Sequence, residues 1–283
     1  MLWKTFRRAA FFWSFVLLSA YLVYVYPIQR LTQWLGHPAL LDLYSIVGLW
    51  LFVTAVLWWS FRRSSRLLEL ALYNWMGIGF VFFSLCLVYD LFRLGFALDD
   101  YAAAMGIILV GTSLVAYAFT TAQHLSRKDL KIHGSILKRD YRLVQISDVH
   151  VGSRSATFLK KIVDTINAQH PDIVLITGDF LDSGRVGPND IAALKDLQAP
   201  VYLSIGNHER YAGLDRAVPL LEGAGVIVLR NRSVSLDGLQ LIGIDDAEDK
   251  DQVRRELANI ELEPACFKVL LYHRPLGWDA AVD

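Results

Sequence analysis

Residues 141–150 read YRLVQISDVH, residues 172–179 read DIVLITGD and residues 201–209 read VYLSIGNHE. Each opens on a run rich in aliphatic, β-branched or aromatic residues, of a length suited to one buried strand, and each stops at a carboxylate, amide or imidazole group. Between the first two lies 156–169, where Phe158, Leu159, Ile162, Val163 and Ile166 recur at helical spacing until His170-Pro171 ends the pattern. Strand, helix, strand predicts parallel βαβ units. Continuous apolar strands predict a sheet covered on both faces. Ligands of such sheets gather beyond the carboxyl ends of the strands. Asp148, His150, Asp179, Asn207 and His208 all fall there, as does His273 after a last strand at 268–272.

Working outward, the strands are expected at 141–147, 172–177, 201–205, 226–229, 233–236 and 239–244, with Asp237-Gly238 as a hairpin turn. Short helices are expected at 189–197, 214–222 and 252–258. Asp245-Asp246 reads as a turn or surface pair, and Glu209, Arg210 and Tyr211 as loop residues or substrate contacts.

The chain has 283 residues, 54% of them hydrophobic, and a mean hydropathy of +0.35. That excess belongs to residues 1–125, where apolar stretches at 9–26, 40–61, 70–89 and 102–121 approach or exceed the ~20 residues a bilayer core requires. An all-α bundle of four transmembrane spans is expected, then a linker at 126–140 and an α/β domain at 141–283. The first stretch is too long for a signal-peptide core, and no small-residue cleavage site precedes Pro27. Asp90, Arg93 and Glu69, near span ends, are expected to snorkel to the interface. Lys4, Arg7, Arg8, Arg62, Arg63, Arg66, Arg127, Lys128 and Lys131 occupy alternate loops, so the positive-inside rule puts the N-terminus and the second half in the cytoplasm. A net charge of zero gives no general attraction to nucleic acid, and none is expected as partner. Cys86 and Cys266 form neither a disulfide framework nor a zinc spacing.

Asp148 and His150, two apart, can face the same side of an extended segment and offer one oxygen and one nitrogen. Asp179 follows Gly178 at a sharp turn, and its two oxygens can bridge two ions. Asn207 adds an amide oxygen and His273 a further imidazole. Such mixed donors suit Mn, Fe, Zn or similar ions, and two ions roughly 3.5–4 Å apart clamp a phosphoryl group for displacement. His208, next to Asn207, could protonate the leaving oxygen or hydrogen-bond the transition state.

The ordered series D-x-H, G-D, G-N-H-E and a later His resembles the calcineurin-like metallophosphoesterase family, over about 141–278. Within it the chain most resembles a branch with a membrane-spanning N-terminus, similar to UDP-2,3-diacylglucosamine pyrophosphatases. The resemblance implies a layered α/β sandwich and two divalent metal ions. It implies that Asp148 and His150 bind the first ion, that Asp179 bridges, that Asn207 and His273 bind the second, and that His208 is the catalytic imidazole. It also implies a later G-H-x-H segment, which the sequence through Asp283 does not include, so a truncated domain short of ligands and closing strands is expected. Two functions follow. One is a membrane-anchored phosphohydrolase acting on a lipid- or nucleotide-linked phosphate ester; the alternative is an impaired domain that only binds or scaffolds.

Overall fold

A computed structural model describes residues 11, 13–37, 43–63 and 66–281, in two compact units, Met1–His124 and Leu125–Asp283. Lys4, Arg7 and Arg8, and the start of the expected second span at 40–42, lie outside the described residues.

The first unit contains helices α1 (Trp13–Trp34), α2 (Leu43–Arg63), α3 (Arg66–Arg93) and α4 (Asp100–Ala122). Among the described residues three helices are long and apolar enough to cross a membrane: α1, the Leu70–Arg93 part of α3, and α4. In α2 the apolar stretch is the shorter Ile46–Val56, below that length. Pro27 has no N–H to give the carbonyl of Val23, and α1 widens there into a π-turn over Tyr21–Val25. That carbonyl lies against α3 at Gly79, where a Cβ would come within 2.2 Å of it.

Asp90 is paired across the bundle. Its carboxylate accepts from Arg30 Nε at 2.7 Å and from the Tyr26 hydroxyl at 2.5 Å, both on α1. Arg93 pairs with Asp100 at 3.0 Å. A charge in an apolar bundle costs less when paired between helices than when left to find water.

In the second unit, β1 (Leu143–Ile146), β2 (Ile173–Thr177), β3 (Val201–Ser204) and β4 (Val226–Val228) form a parallel sheet in that order. A second sheet holds β5 (Arg232–Leu236), β6 (Leu239–Gly243) and β7 (Phe267–Leu271); β5 and β6 are antiparallel, β6 and β7 parallel. Asp237 and Gly238, both at positive φ, close the hairpin as its two central residues must. Helix α5 (Ala156–Asn167) starts at Ser155, whose hydroxyl accepts from Phe158 N–H. Helices α6 (Asn207–Ala212), α7 (Leu214–Gly223) and α8 (Gln252–Leu257) follow. The expected helix at 189–197 is only a 3-10 turn, Ala192–Asp196.

Alternation along β2 explains its unbroken apolar run. Val174 and Ile176 pack with Leu159, Ile162, Val163 and Leu221 from α5 and α7, while Ile173 and Leu175 pack with Leu239, Leu241 and Leu271 of the second sheet. Ile242 and Val253 form a further core on the far side of that sheet. The layers therefore run helix, sheet, sheet, helix. Both faces of the parallel sheet are covered as expected, but one cover is a second sheet.

Gly79→Ala should destabilise the first unit by about 1–3 kcal/mol, the usual cost of overpacking, because the new methyl meets backbone at Val23. Gly77→Ala, with nothing within 4 Å of its Cβ position, should leave stability unchanged or improved; thermal unfolding in detergent compares the two.

Candidate metal centre

The loops after β1 and β2 continue the sheet as a backbone ladder. Asp148 N–H donates to Gly178 O, His150 N–H to Asp179 O at 3.1 Å and Val151 N–H to Phe180 O at 2.7 Å. Asp148, His150 and Asp179 all take left-handed backbone, at φ of 55°, 52° and 52°. Such conformations cost non-glycine residues about 1–3 kcal/mol each and cluster at functional sites. The segment holding Asp148 and His150 is thus kinked rather than extended, yet both side chains reach the same place, with His150 Nε2 3.8 Å from Asp148 Oδ1.

Asp179 is the centre of the arrangement, at 4% exposure. Its Oδ1 accepts the backbone N–H of His208 at 2.9 Å, and its Oδ2 lies 3.1 Å from His273 Nε2 and 3.9 Å from His208 Nε2. A Cβ on Gly206 would stand 2.2 Å from Asp179 Oδ1. Glycine at that position is what admits the carboxylate.

Three imidazoles surround this carboxylate, and each is tied by Nδ1. His273 Nδ1 is 3.0 Å from Thr177 O, and a carbonyl can only accept. His150 Nδ1 and His208 Nδ1 lie 3.1 and 2.8 Å from the same oxygen, Asp182 Oδ1. These acceptors, one carbonyl and one shared carboxylate, assign the proton to Nδ1 in all three rings. In the neutral rings every Nε2 is then a lone pair, facing Asp148 or Asp179 at 3.1–3.9 Å. Lone pairs against carboxylate oxygens repel unless a cation stands between them. Ligating histidines are oriented in this way, by a carbonyl or carboxylate on the other nitrogen.

Two groups of donors result, with ligand atoms mutually within 4.8 Å: His150, Asp179 and His208, and Asp148, Asp179 and His273. Asp179 belongs to both. Oxygen and imidazole donors in these numbers fit divalent ions of the Mn, Fe or Zn type. Four of the expected ligands, Asp148, His150, Asp179 and His273, fall in these groups, with His208 beside His150 and His273 beside Asp148. Asn207 opens α6, half-buried, one residue before the N–H that holds Asp179.

Sequence reasoning missed Asp182, the common anchor of His150 and His208; its only signal is a carboxylate three residues beyond Asp179. Glu209, read as a loop residue, is wholly buried. It accepts the N–H groups of Asp179 and Gly206 at 2.9 Å and of Leu181 at 2.8 Å, fastening the ends of β2 and β3 together. Asp245 and Asp246 are buried too, not on the surface. Asp245 pairs with Arg230 at 2.8 Å, and Asp246 takes a two-pronged contact from Arg274 at 2.6 and 2.7 Å. Tyr211 is 73% exposed, with its ring centre 5.6 Å from that of His208.

The calcineurin-like phosphoesterase family model matches residues 141–279. The second unit is a domain of that family. Its matches support a metal-dependent phosphoesterase. An uncharacterised metallophosphoesterase of Campylobacter jejuni is 25% identical over 292 residues, covering 93% of this chain and 77% of the relative, so the likeness reaches into the apolar first unit. One of Bacillus subtilis is 30% identical over 182 residues, 60% of this chain and 61% of the relative. A zebrafish protein described as a transmembrane protein with a metallophosphoesterase domain is 31% identical over 125 residues, 38% of this chain and 27% of its own length. The chain spans less than two thirds of these last two. With the three apolar helices, the zebrafish relative supports membrane association.

Glu209→Ala would orphan three backbone N–H groups, at about 1–3 kcal/mol each. A loss of at least about 3 kcal/mol is expected by denaturant unfolding, whereas Tyr211→Ala on the same helix should change stability by less than about 0.5 kcal/mol.

Proposed function

We propose that this chain is a membrane-anchored phosphohydrolase with two divalent ions, cleaving a phosphodiester, pyrophosphate or phosphomonoester at the cytoplasmic face of a membrane. The observation that carries the reading is the membership of Asp179 in both donor groups. Asp148, His150, Asp179, Asn207 and His273 would hold the ions. When bound, the ions supply positive charge for the phosphoryl oxygens and acidify a water for attack at phosphorus.

The chain's own residues account for the rest. Asp182 fixes the rings of His150 and His208 through Nδ1, so each presents Nε2. The Thr177 carbonyl does the same for His273. His208, the most accessible of the three rings by a narrow margin over His150, would act as the acid only after taking a second proton on Nε2, with Nδ1–H held by Asp182, and would deliver that proton to the leaving oxygen. Glu209 keeps the Asp179 loop rigid from beneath.

Four spans, with the N-terminus and the domain on the cytoplasmic side, agree with the basic loops; α2, at 21 residues, supplies the additional span. Anchoring favours a substrate that is itself at the bilayer, hence a lipid- or nucleotide-linked phosphate ester. No nucleic-acid partner is proposed.

Hydrolysis of bis-p-nitrophenyl phosphate with added manganese should be abolished by chelation and by Asp179→Ala. For His208→Ala, a general acid and a ligand give different results. As the acid, it should keep its metal content and lose about 10²–10⁴-fold with an alkyl leaving group, but far less with p-nitrophenol, which leaves without a proton. Loss of bound metal, with equal losses on both substrates, would make His208 a ligand instead.

A further inference from the structure

The segment from Leu125 to Arg139 has irregular backbone and is tied to its own domain by the Arg127 side chain, which donates to Gln169, by Arg139, which donates to Asp172, and by a few apolar contacts. Leu125 packs beside the core under the parallel sheet, Leu137 packs beside the core between the sheets, and Gly134 lies so near Phe267 that a Cβ would come within 2.6 Å of its ring. Between these anchors the chain turns its remaining large apolar side chains outward: Leu130 is 85% exposed and Ile132 71%. Cations stand on either side. Arg127 pairs with Asp129 and Arg139 with Asp172, but Lys128 and Lys131 make no ion pair with any described residue.

Single exposed apolar residues need no explanation. Here two lie among unpaired lysines, directly after a helix able to cross a membrane, which ends at Ala122. The chain from Ala122 to Leu130, even fully extended at about 3.3–3.6 Å per residue, cannot carry Leu130 more than about 30 Å from that helix end. The surface of a bilayer crossed by that helix would therefore lie within about that distance of Leu130. Anionic headgroups complement the lysines, whose long stems leave the charge in the headgroup layer while Leu130 and Ile132 enter the acyl boundary.

We propose that residues 126–133 form a docking strap that seats the second unit on an anionic lipid surface. The occupant is lipid, not a protein partner, and the proposal does not depend on the phosphoesterase chemistry.

The full chain carrying Ile132→Cys, spin-labelled, is placed in nanodiscs of phosphatidylcholine alone or with an equal part of phosphatidylglycerol. Glu222→Cys serves as an exposed reference, and the wild-type chain, whose described cysteines Cys86 and Cys266 are buried, as the labelling blank. Accessibility to oxygen and to a water-soluble nickel chelate is read by electron paramagnetic resonance. With phosphatidylglycerol the label should gain oxygen access and lose nickel access relative to Glu222. That difference should shrink at high salt and in Lys128→Gln/Lys131→Gln. Nickel access equal to that of the Glu222 label in both discs would overturn the proposal. Protection from both reagents would also overturn it, since that marks contact with protein.

Discussion

The buried carboxylate of Asp179 is the constraint around which the site is built. It accepts one backbone N–H, faces two imidazole nitrogens, and shares space with Gly206 that no side chain could occupy. Holding it there requires left-handed backbone at Asp179 and at both residues of the neighbouring D-x-H turn. Unfavourable φ angles at three positions persist only where the surroundings over-determine them. Glu209 supplies that restraint: one carboxylate collects N–H groups from the loops after β2 and β3, so neither loop can relax without exposing the other's donors.

The layers explain why such a site lies at the sheet edge. Strands buried on both faces cannot carry polar side chains along their length, so chemistry is displaced to their carboxyl ends. β2 contributes Asp179 and the Thr177 carbonyl, β3 leads into His208 and Glu209, and β7 ends two residues before His273. Asp182 then couples two of these turns by anchoring His150 and His208 to a single oxygen. Orientation of the rings is thereby a property of the fold rather than of any bound ion.

Much of this was legible in the chain. The apolar run of β2 is unbroken because both its faces are covered, β1 breaks its run at Gln145 where the strand is only half-buried, and the polar stops mark the site edge directly. Helix α5 was legible from its spacing and from Pro171 beyond its end. Other features had no local signal. Helix α6 is six residues long, too short for a period. Glu209, Asp245 and Asp246 look like surface charges because their partners come from distant segments: backbone N–H groups, Arg230 and Arg274. The second sheet covers the first with the same residue types a helix would use, so apolar content alone does not tell them apart. Asp90, likewise, pairs with Arg30 sixty positions away.

The central claim is that Asp179 joins two donor groups into one centre. Electron paramagnetic resonance of the manganese-loaded protein, read beside metal content, tests it most directly. Two manganese ions per chain with an exchange-coupled spectrum, collapsing to an uncoupled signal or to lost metal in Asp179→Asn, is the result the account predicts. A single uncoupled ion in the unmodified chain, or a coupled pair that survives Asp179→Asn unchanged, would contradict it.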